Sequence, residues 1–369
     1  MNLVFLFPET YRPFKEHFAR RFELLSRRCS GFIFTLSAAR YIALPLARFQ
    51  LYSEPLGRST IGHTLRTLLA QVARPLRVLR NAPRIDAVVT YDPYASGFAG
   101  VILTRLFPAR LIIEINGDYH TTEPSQNPLK KSLMRFLFHF SLANSAAIKV
   151  LNMQQQDYFG RLYPGTPIYR FHDFVPVDYF QSLDCYQGNY LLAVGHPFDI
   201  KGVDLLIQAF ARISERHPDI HLRIMGYSPK PELMRYEHLV NKNPRVHFIP
   251  PGWIEDVGEQ MRGCYALVNA ARSEAMGKVH LEAMACAKPL VATRTNGGIT
   301  CIEEGRTGLL SDINDVAALA ENLDYLLSNP SLAASMGEAG RERLRGNFSE
   351  EMYVHSLLSM LEEVVGPHR

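Results

Sequence analysis

The sequence predicts two α/β domains, each a doubly wound parallel sheet wrapped by helices, and three observations carry that prediction. At 369 residues the chain is too long for one ordinary core and about right for two, since domains usually hold ~100–200 residues. Short apolar runs alternate with helical patterns from end to end, as expected where crossover helices join parallel strands. The halves also differ in charge. Residues 1–180 hold 22 Lys+Arg against 12 Asp+Glu, a net of +10, and residues 181–369 hold 18 against 24, a net of −6, which sum to the overall +4.

In order along the chain, LVFLF (3–7) reads as the first strand. YRPFKEHFARRFELLSRR (11–28) follows with Phe14, Phe18, Phe22 and Leu25 on one helical stripe; such a stripe packs on the sheet or lies on a membrane. AVVTY (87–91), LIIEI (111–115) and AIKVL (147–151) are the next strand-like runs. The join near 174–190, FVPVDYFQSLDCYQGNY, is aromatic and turn-rich, which places the boundary close to Leu183. Beyond it YLLAVG (190–195), HLRIMG (221–226), VHFIP (246–250), ALVNA (266–270) and PLVAT (289–293) repeat the rhythm. A last helix, EEMYVHSLLSMLEEVV (350–365), follows Asn347-Phe348-Ser349, a cap signal.

Composition narrows the functional classes. A 47% hydrophobic, 21% charged chain without tracts excludes disordered, collagenous and coiled-coil readings. MNLVFLFPET falls short of a signal peptide, and Arg40, Arg48, His139 and Lys149 interrupt the best apolar stretches, so no spanning helix is expected. Five scattered cysteines without a Cys-x-x-Cys pair suggest neither a disulfide framework nor a zinc site, and point to a reducing, cytoplasmic compartment. Gly-x-Gly-x-x-Gly after a strand, a Walker loop, Gly-x-Ser-x-Gly and His-Glu-x-x-His are all absent, which removes the usual evidence for dehydrogenase, P-loop, serine hydrolase and zincin chemistry. Asp-x-Asp, a common diphosphate and metal holder, is absent too. Phosphate must then be met by protein charge and helix ends.

The segment SEAMGKVHLEAMACAKPLVATRTNGG (273–298) is the most informative. It follows a strand, passes through a loop at Gly277 and opens a helix near Lys278, so a helix N-terminus faces the carboxyl end of a sheet, where α/β folds bind anions. Glu274 in the loop and Glu282 in the second helical turn suit the hydroxyls of two sugars joined by phosphates, although a lone glutamate pair there is more often ordinary dipole stabilisation. A second strand–loop–helix, YLLAVGHPFDIKGVDLLIQAF (190–210), brings Lys201 to the same edge. Together these two segments describe a cationic, dipole-lined diphosphate site.

The run VG-x5-KG-x-DLLIQAF, the 273–293 block with its spaced glutamates, the NGG at 296–298 and EEGRTGLL (303–310) resemble, in that order, the family 4 retaining glycosyltransferases of the GT-B fold. The resemblance implies two Rossmann-like domains facing across a cleft: an acceptor domain of residues 1–183 with the final helix 350–369 crossing back to it, and a nucleotide-sugar domain of residues 184–349. It implies that Glu282 binds the ribose hydroxyls, that Glu274 lies near the donor sugar and that Lys201 holds phosphate. Gly195, His196, Met276, Gly277, Lys278, Gly297 and Gly298 would line the donor site. Where relatives commonly carry Arg and Gly, this chain has His196 and Ala275. In the first domain LIIEINGDYH (111–120) resembles the family's strand ending in His-Gly, with Asn116 in place of the histidine; Asp118 and His120 would then sit near the substrates. Glu9 and Thr10 would face the same cleft as acceptor contacts. No metal and no cofactor are implied beyond a UDP- or GDP-sugar co-substrate.

Six arginines (Arg58, Arg66, Arg74, Arg77, Arg80, Arg84) and no carboxylate lie between Pro55 and Ile85, and PLKKSLMRFLFHF (128–140) is basic and aromatic. An anionic partner is expected for this half. Nucleic acid is disfavoured because no helix-turn-helix, RNP-like or zinc-finger pattern accompanies the charge. The reading is a retaining, metal-independent hexosyltransferase acting on a lipid-linked, lipopolysaccharide or polysaccharide acceptor, peripheral on the inner face of a membrane. The alternatives are a nucleotide-sugar epimerase of the same fold and a binding relative that has lost catalysis.

Overall fold

The computed structural model describes the chain apart from residues 9–15, 38–40, 56–65, 68, 119–126, 228–229, 241–242, 251, 253 and 367–369. It divides into two compact units, Met1–Phe174 with Tyr353–Arg369, and Val175–Met352. The division falls ahead of Leu183 because the preceding residues already pack with the second unit. The helix Val177–Gln181 lies against the helix Lys278–Ala285, with Phe180 fully buried.

In the first unit the described strands are β1 (Asn2–Leu6), β2 (Ser30–Ser37), β3 (Ile42–Leu46), β4 (Phe49–Pro55), β5 (Ala87–Thr90), β6 (Arg110–Glu114), β7 (Ala147–Val150) and β8 (Ile168–Arg170). They form one sheet in the order β3-β4-β2-β1-β5-β6-β7-β8. All described pairings are parallel except β3 with β4. That hairpin was not legible in the sequence because β3 carries Pro45, and proline is tolerated in a strand only at an edge. β1, β5, β6 and β7 are almost wholly buried and read as continuous apolar runs because helices cover both faces. Phe22 and Leu25, from the stripe of the first helix, are buried in one core layer with Phe5, Ile33 and Phe49. The same layer takes Tyr353, Leu357, Met360 and Leu361 of the final helix Glu350–Val365. Ser349 caps that helix, its hydroxyl accepting from the Met352 N–H at 3.2 Å.

The second unit holds β9 (Tyr190–Val194), β10 (His221–Met225), β11 (Val246–Ile249), β12 (Ala266–Asn269), β13 (Leu290–Thr293) and β14 (Gly308–Ser311) in the order β11-β10-β9-β12-β13-β14. Every described pairing in it is parallel. The order turns back between β9 and β12, and this switch point is where open α/β sheets present a crevice for ligands. Leu205, Leu206, Ala209, Phe210 and Ile213 of the helix Val203–Ile213 are buried against this sheet. No helix among the described residues is long and apolar enough to cross a membrane.

Candidate active site

At the switch point of the second unit, two loops leave adjacent strands and open two helices. The loop after β9 runs through Gly195 and the exposed His196 to Lys201. Gly202 then caps the helix Val203–Ile213 in the left-handed region (φ 62°, ψ 34°), and a Cβ there would lie 2.0 Å from the Ala270 carbonyl oxygen. Only glycine permits this contact between the two loops. The loop after β12 ends at Gly277, also left-handed (φ 75°), which opens the helix Lys278–Ala285. The helix Lys278–Ala285 has no side-chain cap, and its N-terminus is where the dipole favours an anion. In the helix Val203–Ile213 the Val203 N–H already bonds the Phe198 carbonyl at 3.1 Å, and the Asp204 carboxylate accepts from the Asp204 and Leu205 N–H groups.

Arg272 clamps the loops together. Its guanidinium grips Asp204 bidentately at 2.9 and 2.8 Å and donates to the Asp199 carbonyl at 2.6 Å, while its backbone N–H bonds the Ile200 carbonyl at 2.8 Å. Within this frame Lys201 Nζ and Glu274 Oε2 are 2.5 Å apart, with side chains 21% and 14% exposed. Sequence placed each residue at the site; their direct pairing is a structural finding. Asn269 Nδ2 donates to Glu274 Oε2 at 3.3 Å and lies 2.9 Å from His280 Nε2. Because an amide nitrogen is only a donor, Nε2 accepts and the His280 proton sits on Nδ1. Burial, opposed by Glu274, lowers the His280 pKa to about 4, so the imidazole is neutral at pH 7. Burial also acts to raise the Glu274 carboxyl, but the Lys201 charge, the neighbouring His280 and the hydrogen bonds from Lys201 and Asn269 outweigh it and hold it below its ordinary value. Glu274 is a carboxylate at neutral pH.

Glu282 differs. Its half-buried carboxyl has no hydrogen-bond or ion-pair partner among the described residues, and burial, opposed by Lys278, pushes its pKa up to about 7. A partly exposed carboxyl kept short of partners is suited to hydroxyl donors from a ligand. Met276 is buried and Lys278 exposed. Gly297 and Gly298 are buried beside the loop, but their N–H groups are already used. Gly297 donates to the Glu274 carbonyl at 2.7 Å and Gly298 to Thr295 Oγ1 at 3.2 Å. Gly297 therefore holds the Glu274 loop in place, and Gly298 completes the Thr295 cap of the helix Asn296–Cys301.

In the first unit Asn116 and Asp118 follow β6, Asn116 partly exposed and Asp118 buried. Asn116 bonds the Tyr91 carbonyl and the Lys149 ammonium, each at 3.2 Å. Glu9, Thr10 and His120 lie outside the described residues. Sequence reasoning passed over Asn269, His280 and Lys149. The first two stood in quoted motifs as apparent strand and helix residues, and Lys149 registered only as a break in an apolar run. Arg74 also changes standing: its guanidinium is bound to Glu54 at 2.6 and 2.9 Å, so it serves the fold, whereas Arg77, Arg80 and Arg84 are exposed.

Family models match both units, glycosyl transferases group 1 over residues 180–343 and a glycosyl transferase 4-like domain over residues 9–169. The chain belongs to the group 1 glycosyl transferases. An uncharacterized glycosyltransferase of Methanocaldococcus jannaschii is 28% identical over 283 residues, 76% of either chain. A lipopolysaccharide core biosynthesis glycosyltransferase of Rhizobium meliloti is 28% identical over 172 residues, 46% of this chain and 49% of the relative. Among solved structures, sucrose-phosphate synthase from Thermosynechococcus elongatus superposes with a TM-score of 0.79 at 19% identity over 99% of both chains. The Anabaena protein HepE, solved with UDP-glucose, superposes at 0.74 and 14% identity over 98% of this chain and 100% of its own. The fold of this group 1 transferase is thus GT-B.

Proposed function

We propose that this transferase moves a sugar from a UDP- or GDP-sugar to a hydroxyl of a lipid-linked oligosaccharide, lipopolysaccharide or polysaccharide acceptor, retaining the anomeric configuration and using no metal ion. The observation that carries the reading is the Lys201–Glu274 pair, held beside the N-terminus of the helix Lys278–Ala285, which lacks a side-chain cap, with Glu282, unpartnered among the described residues, one turn into that helix. In this reading Glu282 accepts the ribose hydroxyls and Lys201, with the amides at Gly277 and Lys278, meets the diphosphate. Glu274 meets the donor sugar. Negative charge grows on the leaving diphosphate as the glycosidic bond breaks, and a preorganised ammonium and helix dipoles stabilise that charge most in the transition state. The departing phosphate oxygen takes the acceptor proton on the same face, which retains configuration. Asn116 and Asp118 would contact the substrates from the first unit. The solved complex of HepE with UDP-glucose supports a nucleotide-sugar donor, and the lipopolysaccharide-core relative supports a glycan acceptor.

Peripheral membrane attachment is part of the same proposal. On the helix Pro128–Ala143, Leu129, Leu133 and Phe136 are exposed on one stripe, flanked by exposed Lys130 and Arg135. Apolar side chains rimmed by cations suit an anionic leaflet at the cytoplasmic face of the inner membrane. The test incubates the purified protein with UDP-glucose, UDP-N-acetylglucosamine or GDP-mannose and membrane-extracted glycolipid, with and without EDTA, and reads the product linkage by NMR. Transfer with retained configuration in EDTA is expected. A strict requirement for added magnesium or manganese, inverted product, or an epimerised nucleotide sugar without transfer would each overturn the corresponding part.

A further inference from the structure

Four side chains from successive strand ends converge at the carboxyl edge of the first sheet. Tyr91 follows β5, Asn116 follows β6, Lys149 lies on β7 opposite Glu114, and Asp173 lies beyond β8. Lys149 and Asp173 are essentially fully buried, 3.7 Å apart. Lys149 Nζ donates to Asn116 Oδ1 at 3.2 Å, Asn116 Nδ2 donates to the Tyr91 carbonyl at 3.2 Å, and the Tyr91 hydroxyl donates to Asp173 Oδ2 at 2.8 Å. The circuit is closed. An ammonium offers only donors and a carbonyl only acceptors, so the Asn116 amide has a single permitted orientation, oxygen toward Lys149 and nitrogen toward Tyr91.

A primary amide has two N–H donors and two acceptor lone pairs. Among the described residues one of each is used, and Asn116 is partly exposed, which leaves one N–H for a ligand. The positive charge beside Oδ1 draws density from the amide nitrogen and strengthens that N–H as a donor. Burying an ion pair is a poor way to gain stability, since well-packed apolar residues do as well or better. A lysine in the middle of AIKV, reaching a partly exposed amide, is explained better by what it does to Asn116 than by the strength of its pairing.

We propose that Lys149 is a positioning residue: a buried ammonium that locks and polarises Asn116 so that its free N–H meets an oxygen of the sugar substrate. The inference rests on the reading above that Asn116 contacts substrate. Kinetics are measured with whichever of the three nucleotide sugars supports turnover. Asn116→Ala should lower kcat by about tenfold to a hundredfold, the range for losing one hydrogen bond from a charge-assisted donor. Lys149→Met should show a similar loss, and Lys149→Met in the Asn116→Ala background should lose no more than about twofold further, because groups acting through one another are not additive. UDP affinity by calorimetry should stay within about twofold of wild type throughout. Since Lys149→Met removes the ammonium that faces the buried Asp173 carboxylate, Lys149→Met/Asp173→Asn is measured alongside with circular dichroism; it removes both charges and keeps the Tyr91 hydrogen bond. Wild-type kcat in the folded Lys149→Met/Asp173→Asn variant, or losses at 149 and 116 that multiply, would overturn the positioning role. Wild-type kcat in Asn116→Ala would overturn the substrate contact itself, and the inference with it.

Discussion

The carboxyl edges of the two sheets use charge in opposite ways. In the first unit the charges are buried and answered internally: Arg21 and Glu114 pair at 3.3 Å with side chains 5% and 0% exposed, and Lys149 faces Asp173. The Arg21 guanidinium also lies over the Tyr353 ring at 5.2 Å. In the second unit the Lys201–Glu274 pair remains open to solvent and Glu282 lacks a partner among the described residues. A closed, neutral network fixes geometry and leaves little for a ligand to change; an open one, short of partners, can be completed by a ligand.

That contrast can be broken first at Arg21. Arg21→Ala removes the guanidinium paired with the buried Glu114 carboxylate and should destabilise the first unit by about 3–5 kcal/mol, read as a lower denaturation midpoint. Arg21→Met/Glu114→Gln should recover most of that loss. If the single variant unfolds like wild type, the network is not structural. Next comes Lys201→Ala, which should keep the fold, because a partly exposed pair contributes little to stability, yet lower turnover by about 10²–10³-fold. Wild-type turnover would remove Lys201 from the phosphate site.

A smaller effect sharpens the other side of the comparison. The Glu282 carboxyl rises from 4.5 to about 7 in the fold, so the folded state holds a proton that the unfolded state has released. The associated stability is present below the ordinary value and lost as pH rises through 7. Glu282→Gln should therefore raise the apoprotein melting temperature at pH 8 and leave it unchanged near pH 4. The same variant should bind UDP about tenfold to a hundredfold more weakly at pH 8, and wild-type UDP affinity should fall as pH drops below 7. A melting temperature that moves equally at both pH values would refute the burial argument. The least effect concerns the membrane. Leu133→Ser/Phe136→Ser should reduce binding to anionic liposomes, and each basic residue nearby adds about 1 kcal/mol that salt removes; equal binding to neutral and anionic vesicles would sink the attachment.

Much of the second unit was legible along the chain. Its strands β9, β12, β13 and β14 are almost wholly buried, and its candidate site sits where strands, glycines and helix starts recur at short spacing, so Lys201, Glu274 and Glu282 could be named as candidates from local pattern. β2, β3 and β4 were not legible: Pro45 and the short turn at Ala47 (φ 54°) disguise an edge hairpin. Lys149 was read as an interruption because nothing local distinguishes a buried lysine from a break in an apolar run.

The sequence by itself determined the α/β class and the two-unit organisation, which depend on periodicity and on spacing within some ten residues, and its motifs carried the family resemblance and the candidate site residues. Tertiary structure alone decided the partners. That Lys201 meets Glu274 across 73 positions, that Asn269 sets the His280 tautomer, and that Lys149 and Tyr91 fix the amide of Asn116 follow from which strands lie side by side. Strand order is set by the packing of whole helices on a sheet, and no local pattern encodes it.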